Sequence, residues 1–249
     1  MTWALRPAAL VLGLVWLFGF YGLIDLAGIF DFGSDEVDLI HLSISWGSLV
    51  TYFVAVPLFA LALRQVSLDE VVGVMAIAFG ALSIGALMSG VATGDAGPLL
   101  LAVPLLLTAA ALMGLAVPRG QSRTAFSIQR PVPRWHLVAL AVVGIALWLP
   151  YIVHALKALD KLPEDVTLGL NHWPVQVSAG VAVMLACVVA ATVPGHRRLP
   201  IVAASLSSVS IGAGMAANLD AATATEGGPW GIGCVLWGTV LALSSRERR

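Results

Sequence analysis

Eight apolar segments, each near the length of a bilayer crossing, alternate along this chain with short polar connections of sharply different charge. They run approximately 8–30, 41–63, 71–92, 99–117, 135–157, 174–193, 200–218 and 230–245. About 20 consecutive apolar residues cross the hydrocarbon of a bilayer as a helix. In that medium each backbone amide needs a partner inside the segment, so stretches of this length are helices. The sequence therefore predicts an all-α, polytopic membrane protein with eight transmembrane helices, its first partner being the lipid bilayer itself. A mean hydropathy of +0.94 and only 11% charged residues agree, since soluble domains carry about 25% charged residues. The connections are too short to hold a separate soluble domain.

Charge orients the segments. With the amino end in the cytoplasm, every arginine lies inside: Arg6, Arg64, Arg119, Arg123, Arg130, Arg134, Arg197, Arg198, Arg246, Arg248 and Arg249. Only Asp69, Glu70 and Glu247 accompany them. The outer loops and span ends hold Asp25, Asp31, Asp35, Glu36, Asp38, Asp95, Asp160, Glu164, Asp165, Asp220 and Glu226, against Lys157 and Lys161. Short cytoplasmic loops rich in Lys and Arg set topology. The expectation is a multi-pass protein of a prokaryotic-type inner membrane with both termini cytoplasmic. The first segment is too long for a secretory h-region and lacks a clean small-residue cleavage site, so it reads as an uncleaved span.

The linker 118–134 contains four arginines, three prolines and no acid, and it divides the chain near its midpoint. The two sides resemble copies. Ser83-Ile84-Gly85-Ala86-Leu87-Met88 matches Ser210-Ile211-Gly212-Ala213-Gly214-Met215, and each is followed by an acidic loop ending Gly97-Pro98 or Gly228-Pro229. Asp35-Glu36-Val37 before His41 matches Glu164-Asp165-Val166 before His172, and Tyr21 matches Tyr151. Four spans per copy is an even number, so the copies, 1–117 and 135–249, form two parallel four-helix repeats related about the membrane normal.

Small residues recur every four positions in both copies: Ala81, Gly85 and Ser89 in span three, Ser208, Gly212 and Ala216 in span seven. Such stripes let helices approach closely, because packing drives association in lipid. They predict that spans three and seven meet near the pseudo-axis. At the outer end Asp25, His41, His154 and His172 form a candidate polar cavity, electronegative from the flanking acids. An ionisable group within a span turns toward protein or water. His41 and His172 with Met88 and Met215 are candidate ligands for a soft or borderline metal, although no helix carries ligand spacing. Cys187 and Cys234 read as small buried residues. Trp3, Trp46, Trp173 and Trp230 read as interfacial anchors.

The plan of four-helix units with a histidine near the outer end of the second helix resembles haem-bearing membrane proteins such as haem A synthase and the oxidase catalytic subunit. The resemblance covers architecture alone. The facing histidines that would complete a ligand pair are absent from spans four and eight. No cofactor is identified by these residues.

Several classes are excluded or disfavoured. No phosphate-binding GxxxxGK[ST] loop occurs, hence no nucleotide site. The HExxH and GxSxG patterns of hydrolases are missing, which weighs against an enzyme. Arginines scattered through short loops do not make a nucleic-acid surface. The leading expectation is a small-solute or cation carrier, or translocation component, with its path between the halves. The alternatives are a metal- or haem-associated redox or assembly protein using the outer histidines, and a non-catalytic partner subunit of other membrane proteins.

Overall fold

The computed structural model describes residues 4–27, 40–93, 97–116, 132–159, 173–217 and 227–244. Among the described residues the chain is helical and contains no strand. Helix α1, Leu5–Leu14, continues through a π-helical turn, Val15–Gly19, and is followed by short α2, Gly22–Ala27. Helix α3, Ile40–Val50, runs through a second π-helical turn, Thr51–Ala55, into α4, Val56–Ala62. The remaining helices are α5, Leu68–Thr93; α6, Gly97–Ala116; α7, Trp135–Lys157; α8, Trp173–Thr192; α9, Arg198–Ala217; and α10, Gly228–Ser244.

Five stretches are long and apolar enough to cross a membrane: Leu42–Ala62, Leu68–Val91, Trp135–Lys157, Trp173–Thr192 and Arg198–Ala217. Three apolar helices, Leu5–Gly19, Ala102–Ala116 and Gly228–Ser244, are shorter. These features fit a multi-pass helical membrane protein. The share of each long stretch that is buried separates centre from periphery. It is 78% for Leu42–Ala62 and 72% for both α8 and α9, against 33% for α7. The outward face of α7 is apolar, with Val142, Val143, Leu149 and Val153 exposed. That is the expected pattern where lipid, instead of water, surrounds the protein.

Packing follows a paired scheme. Helices α1 and α2 lie on the α3–α4 rod, as α7 lies on α8; α5 lies on α6, as α9 lies on α10. Helix α1 reaches α6, as α7 reaches α10. Across the chain midpoint α5 packs on α8, α3 packs on α9, and α3 also meets α8.

Glycines permit the closest crossings. A Cβ on Gly212 would stand 2.6 Å from the Gly231 carbonyl, and one on Gly231 would stand 2.5 Å from the Gly212 carbonyl. A Cβ on Gly85 would stand 2.8 Å from the Pro174 carbonyl of α8. The two small-residue stripes therefore serve different partners: Gly85 seats α5 on α8, and Gly212 seats α9 on α10. Helices α5 and α9 do touch, but less extensively than α5 touches α8. The space beside Gly85 is taken by Ser178 and the Pro174 carbonyl of α8.

The first helix is interrupted. Phe20 and Tyr21 leave helical geometry, and Tyr21 adopts φ 59°, a left-handed value costly for a residue with a Cβ. The Trp46 indole N–H donates to the Phe20 carbonyl at 2.8 Å, supplying a partner at the break. Pro57 sits directly after the π-helical turn of the second rod, whereas Pro104 and Pro150 lie within uninterrupted α-helix. At the opposite end of the molecule, Val132 and Arg134 donate backbone N–H bonds to the Thr192 and Ala191 carbonyls. Arg197 donates to the Ala190 and Val132 carbonyls, tying the residues before α7 to the end of α8. Partial burial, then the neighbouring Arg134, lowers the Arg197 pKa from its ordinary value.

Candidate functional site

The centre of the bundle is polar in a specific place. Ser45, Ser48 and Tyr52 fall on one face of the α3 rod, since positions three and four apart share a helix face. Helix α9 turns Ser207 and Ser210 to a common side by the same spacing, and these two rods are packed together. The Tyr52 hydroxyl and Ser210 Oγ hydrogen-bond at 2.9 Å. Ser45 and the Tyr151 hydroxyl of α7 form a second, buried hydrogen bond.

These contacts lie in layers. Chain direction brings the end of α7 and the beginnings of α3 and α8 to one side of the bundle. Tyr151 is six residues before the end of α7, Ser45 six residues into α3, and Gln176 fourth in α8. At 1.5 Å per residue all three occupy a layer within about 10 Å of that helix boundary. Tyr52 lies near the middle of the rod formed by α3, the π-helical turn and α4, and Ser210 seven residues before the end of α9.

Several of these polar groups lack a partner. Ser48 Oγ, Thr51 Oγ1, Ser205 Oγ, Ser207 Oγ and Trp148 Nε1 are buried without a hydrogen bond among the described residues. Gln176 is more anomalous: it is fully buried, and neither Nε2 nor Oε1 has a partner. Its carboxamide lies close to the Tyr151 hydroxyl. Native interiors pair most buried polar side-chain atoms, so such a group calls for an explanation. The surroundings are aromatic. Tyr151 stacks on Trp230 with centroids 5.3 Å apart and an interplanar angle of 2°, and Trp148 stands edge-on to both. Trp230 Nε1 is engaged, donating to the Leu147 carbonyl at 2.8 Å.

Other buried hydroxyls are spent locally. Ser178 donates to the Pro174 carbonyl and Ser89 to that of Gly85, each four residues back, while Ser208 bridges to the Cys234 carbonyl of α10. Ala81 is buried on α5, and Ala216 is half-buried near the end of α9.

The sequence-predicted residues distribute as follows. Asp25 is half-buried in α2, with its N–H bonded to the Tyr21 carbonyl at 2.9 Å. His154 is half-buried in the last turn of α7. His41 belongs to the first turn of α3, but its side chain lies outside the described residues, and so does the whole of His172. Met215 is fully buried in α9 and Met88 half-buried in α5. Among the described residues no group of three His, Cys, Asp or Glu side chains could hold a metal ion. Cys187 and Cys234 are free and buried.

Two readings change. Trp46 and Trp173 are 8% and 2% exposed, so they are core side chains and not anchors at a lipid headgroup surface. Trp3 lies outside the described residues. Tyr21 is exposed at the helix break whereas Tyr151 is buried in the polar layer, so these two tyrosines occupy unlike settings. Sequence reasoning missed Gln176 and Tyr151 as a pair. The available signal was a carboxamide inside an otherwise apolar span.

No protein-family model, no curated protein and no solved structure matches the chain. What fold and composition define is a class, an all-helical protein with several helices fit to cross a membrane.

Proposed function

We propose that this chain is a carrier or translocation component of a cell's inner membrane, handling a small solute along a path between two parallel four-helix repeats. The observation that carries this reading is that Ser48 of α3, Gln176 of α8, and Ser205 and Ser207 of α9 are buried without a hydrogen-bond partner among the described residues, on three helices that pack on one another. A polar group in a low-dielectric interior without a hydrogen bond costs roughly 1–3 kcal/mol, and several such groups in one region suit a path that a solute lines during passage. Among the described residues the buried polar side chains are Ser, Thr and Gln, none of them formally charged. An uncharged solute fits that lining better than a cation, because an ion at such depth needs an opposite charge or a cage of carbonyls.

The repeat reading draws support from the packing scheme, in which contacts on one side of the linker 118–134 have counterparts on the other. Substrate sites of duplicated carriers lie at the repeat interface near the midplane, often where helices are irregular. The π-helical turn holding Tyr52 has that character. Orientation with both termini cytoplasmic rests on the arginine distribution. The purified protein in liposomes should accelerate equilibration of at least one small neutral solute, by light scattering after an osmotic step. Ser207→Leu, which fills the seam, should abolish the acceleration. Rates equal to those of empty liposomes across amides, polyols and water would refute carriage.

A further inference from the structure

Gln176 deepens that reading by pointing to the chemistry of the solute. Its carboxamide presents an N–H donor and a carbonyl acceptor side by side in one plane. Both ends are buried, and neither meets hydrogen-bond geometry among the described residues, although the carboxamide lies close enough to the Tyr151 hydroxyl to interact with it. Beside it stands the Tyr151 hydroxyl, held by Ser45, which can donate or accept once its other valence is satisfied. Trp148 and Trp230 supply flat apolar walls around Tyr151, and Trp148 Nε1 adds a further unpartnered donor. Among the described residues no formal charge occurs on the buried polar side chains.

We infer that Gln176, Tyr151 and Trp148 form a binding site for a small, planar, uncharged solute carrying adjacent donor and acceptor groups, of the carboxamide or urea type. The pairing logic is complementary: the acceptor of the ligand meets Gln176 Nε2, and its N–H meets Oε1. A ketone of the same shape satisfies only the donor end. A carboxylate places its charge against Oε1, and among the described residues no buried cation is there to offset it. Gln176 stands about one helical turn into α8, and Tyr151 and Trp148 about two turns before the end of α7, which places the site roughly 5–14 Å in from that side. This inference rests on the carrier reading for its biological sense, but the site can be tested without flux.

Acetamide, acetone and acetate are near-isosteric and differ in these features alone. Each is titrated into the detergent-purified full chain, read by intrinsic tryptophan fluorescence, to which Trp148 and Trp230 contribute. Acetamide should give a saturable change, with acetone and acetate at least ten-fold weaker. Gln176→Met, which keeps side-chain length and removes both polar ends, should weaken acetamide at least ten-fold while retaining the wild-type melting temperature or exceeding it. Equal responses to the three probes, a non-saturating acetamide response, or unchanged acetamide binding in Gln176→Met would each overturn the site. The wild-type panel decides by itself if the variant fails to fold. Acetamide flux into proteoliposomes separates the two claims. Binding without flux refutes carriage and leaves the site, whereas flux indifferent to Gln176→Met refutes the site and leaves carriage.

Discussion

The Tyr52 hydroxyl and Ser210 Oγ lie 2.9 Å apart, joining residues on opposite sides of the chain midpoint, and Tyr52 belongs to the π-helical turn Thr51–Ala55. A π-helical turn widens the helix and commonly marks a functional position. Here it coincides with the buried polar seam. Tyr52→Phe and Ser210→Ala should each lower stability by about 1 kcal/mol, and a double-mutant cycle should give a coupling of about 0.6 kcal/mol, the average for hydrogen bonds within membranes. Unfolding in mixed micelles measures both. Strict additivity would remove this contact from the account.

Close helix approach gives a second expectation. Gly212→Ala should destabilise by about 1–3 kcal/mol, as overpacking does, because the added methyl would meet the Gly231 carbonyl at 2.6 Å. Gly80→Ala adds its methyl to open space and should be neutral or stabilising, since alanine favours helix by about 1 kcal/mol over glycine. Thermal melts of the two variants side by side check the contrast. Equal effects would show that the α9–α10 crossing yields easily.

The end of α4 carries a cap in which the Gln65 N–H bonds the Ala60 carbonyl and the Arg64 N–H bonds that of Leu61. Arg64 occupies the left-handed position of that motif, at φ 62°, where glycine is the usual residue. Arg64→Gly should therefore stabilise by about 0.5–1 kcal/mol through relief of the Cβ clash. A lower melting temperature would mean that the arginine side chain contributes more than its backbone costs.

Much of the fold was legible because hydrocarbon permits few alternatives. The segment read as 135–157 coincides with Trp135–Lys157, and the segment read as 174–193 differs from Trp173–Thr192 by one residue at each end. Apolar runs of bilayer length must be helices, so hydropathy alone locates them. Hydropathy does not register backbone irregularity. The break at Phe20–Tyr21 is sustained by a bond from Trp46, a contact between residues distant in sequence. The site was less legible for the same reason. Outer histidines stood out by residue type, whereas Tyr151, Gln176 and Ser45 converge only after three helices are packed. The equivalence of Gly85 with Gly212 suggested a direct crossing, but motif similarity carries no information about which neighbour each stripe faces.

The orientation proposed from charge has its own check. A reporter active only in the cytoplasm, fused after Arg249, should be active, and one fused within the acidic segment 160–165 should be silent, as the arginine distribution requires. The reverse pattern would invert every assignment of side.

The central claim is that the seam between α3 and α9 is a path entered by water and solute. In a background without Cys187 and Cys234, the most direct measurement is labelling of Ser48→Cys and Ser207→Cys by a small, membrane-impermeant thiosulfonate. Both positions are about 0–1% exposed, so labelling requires the bundle to open. Both should label in intact membranes at least ten-fold faster than Ala78→Cys, a position on α5 that is 0% exposed. Labelling of Ser48→Cys and Ser207→Cys no faster than Ala78→Cys would contradict it and leave the seam a static part of the core.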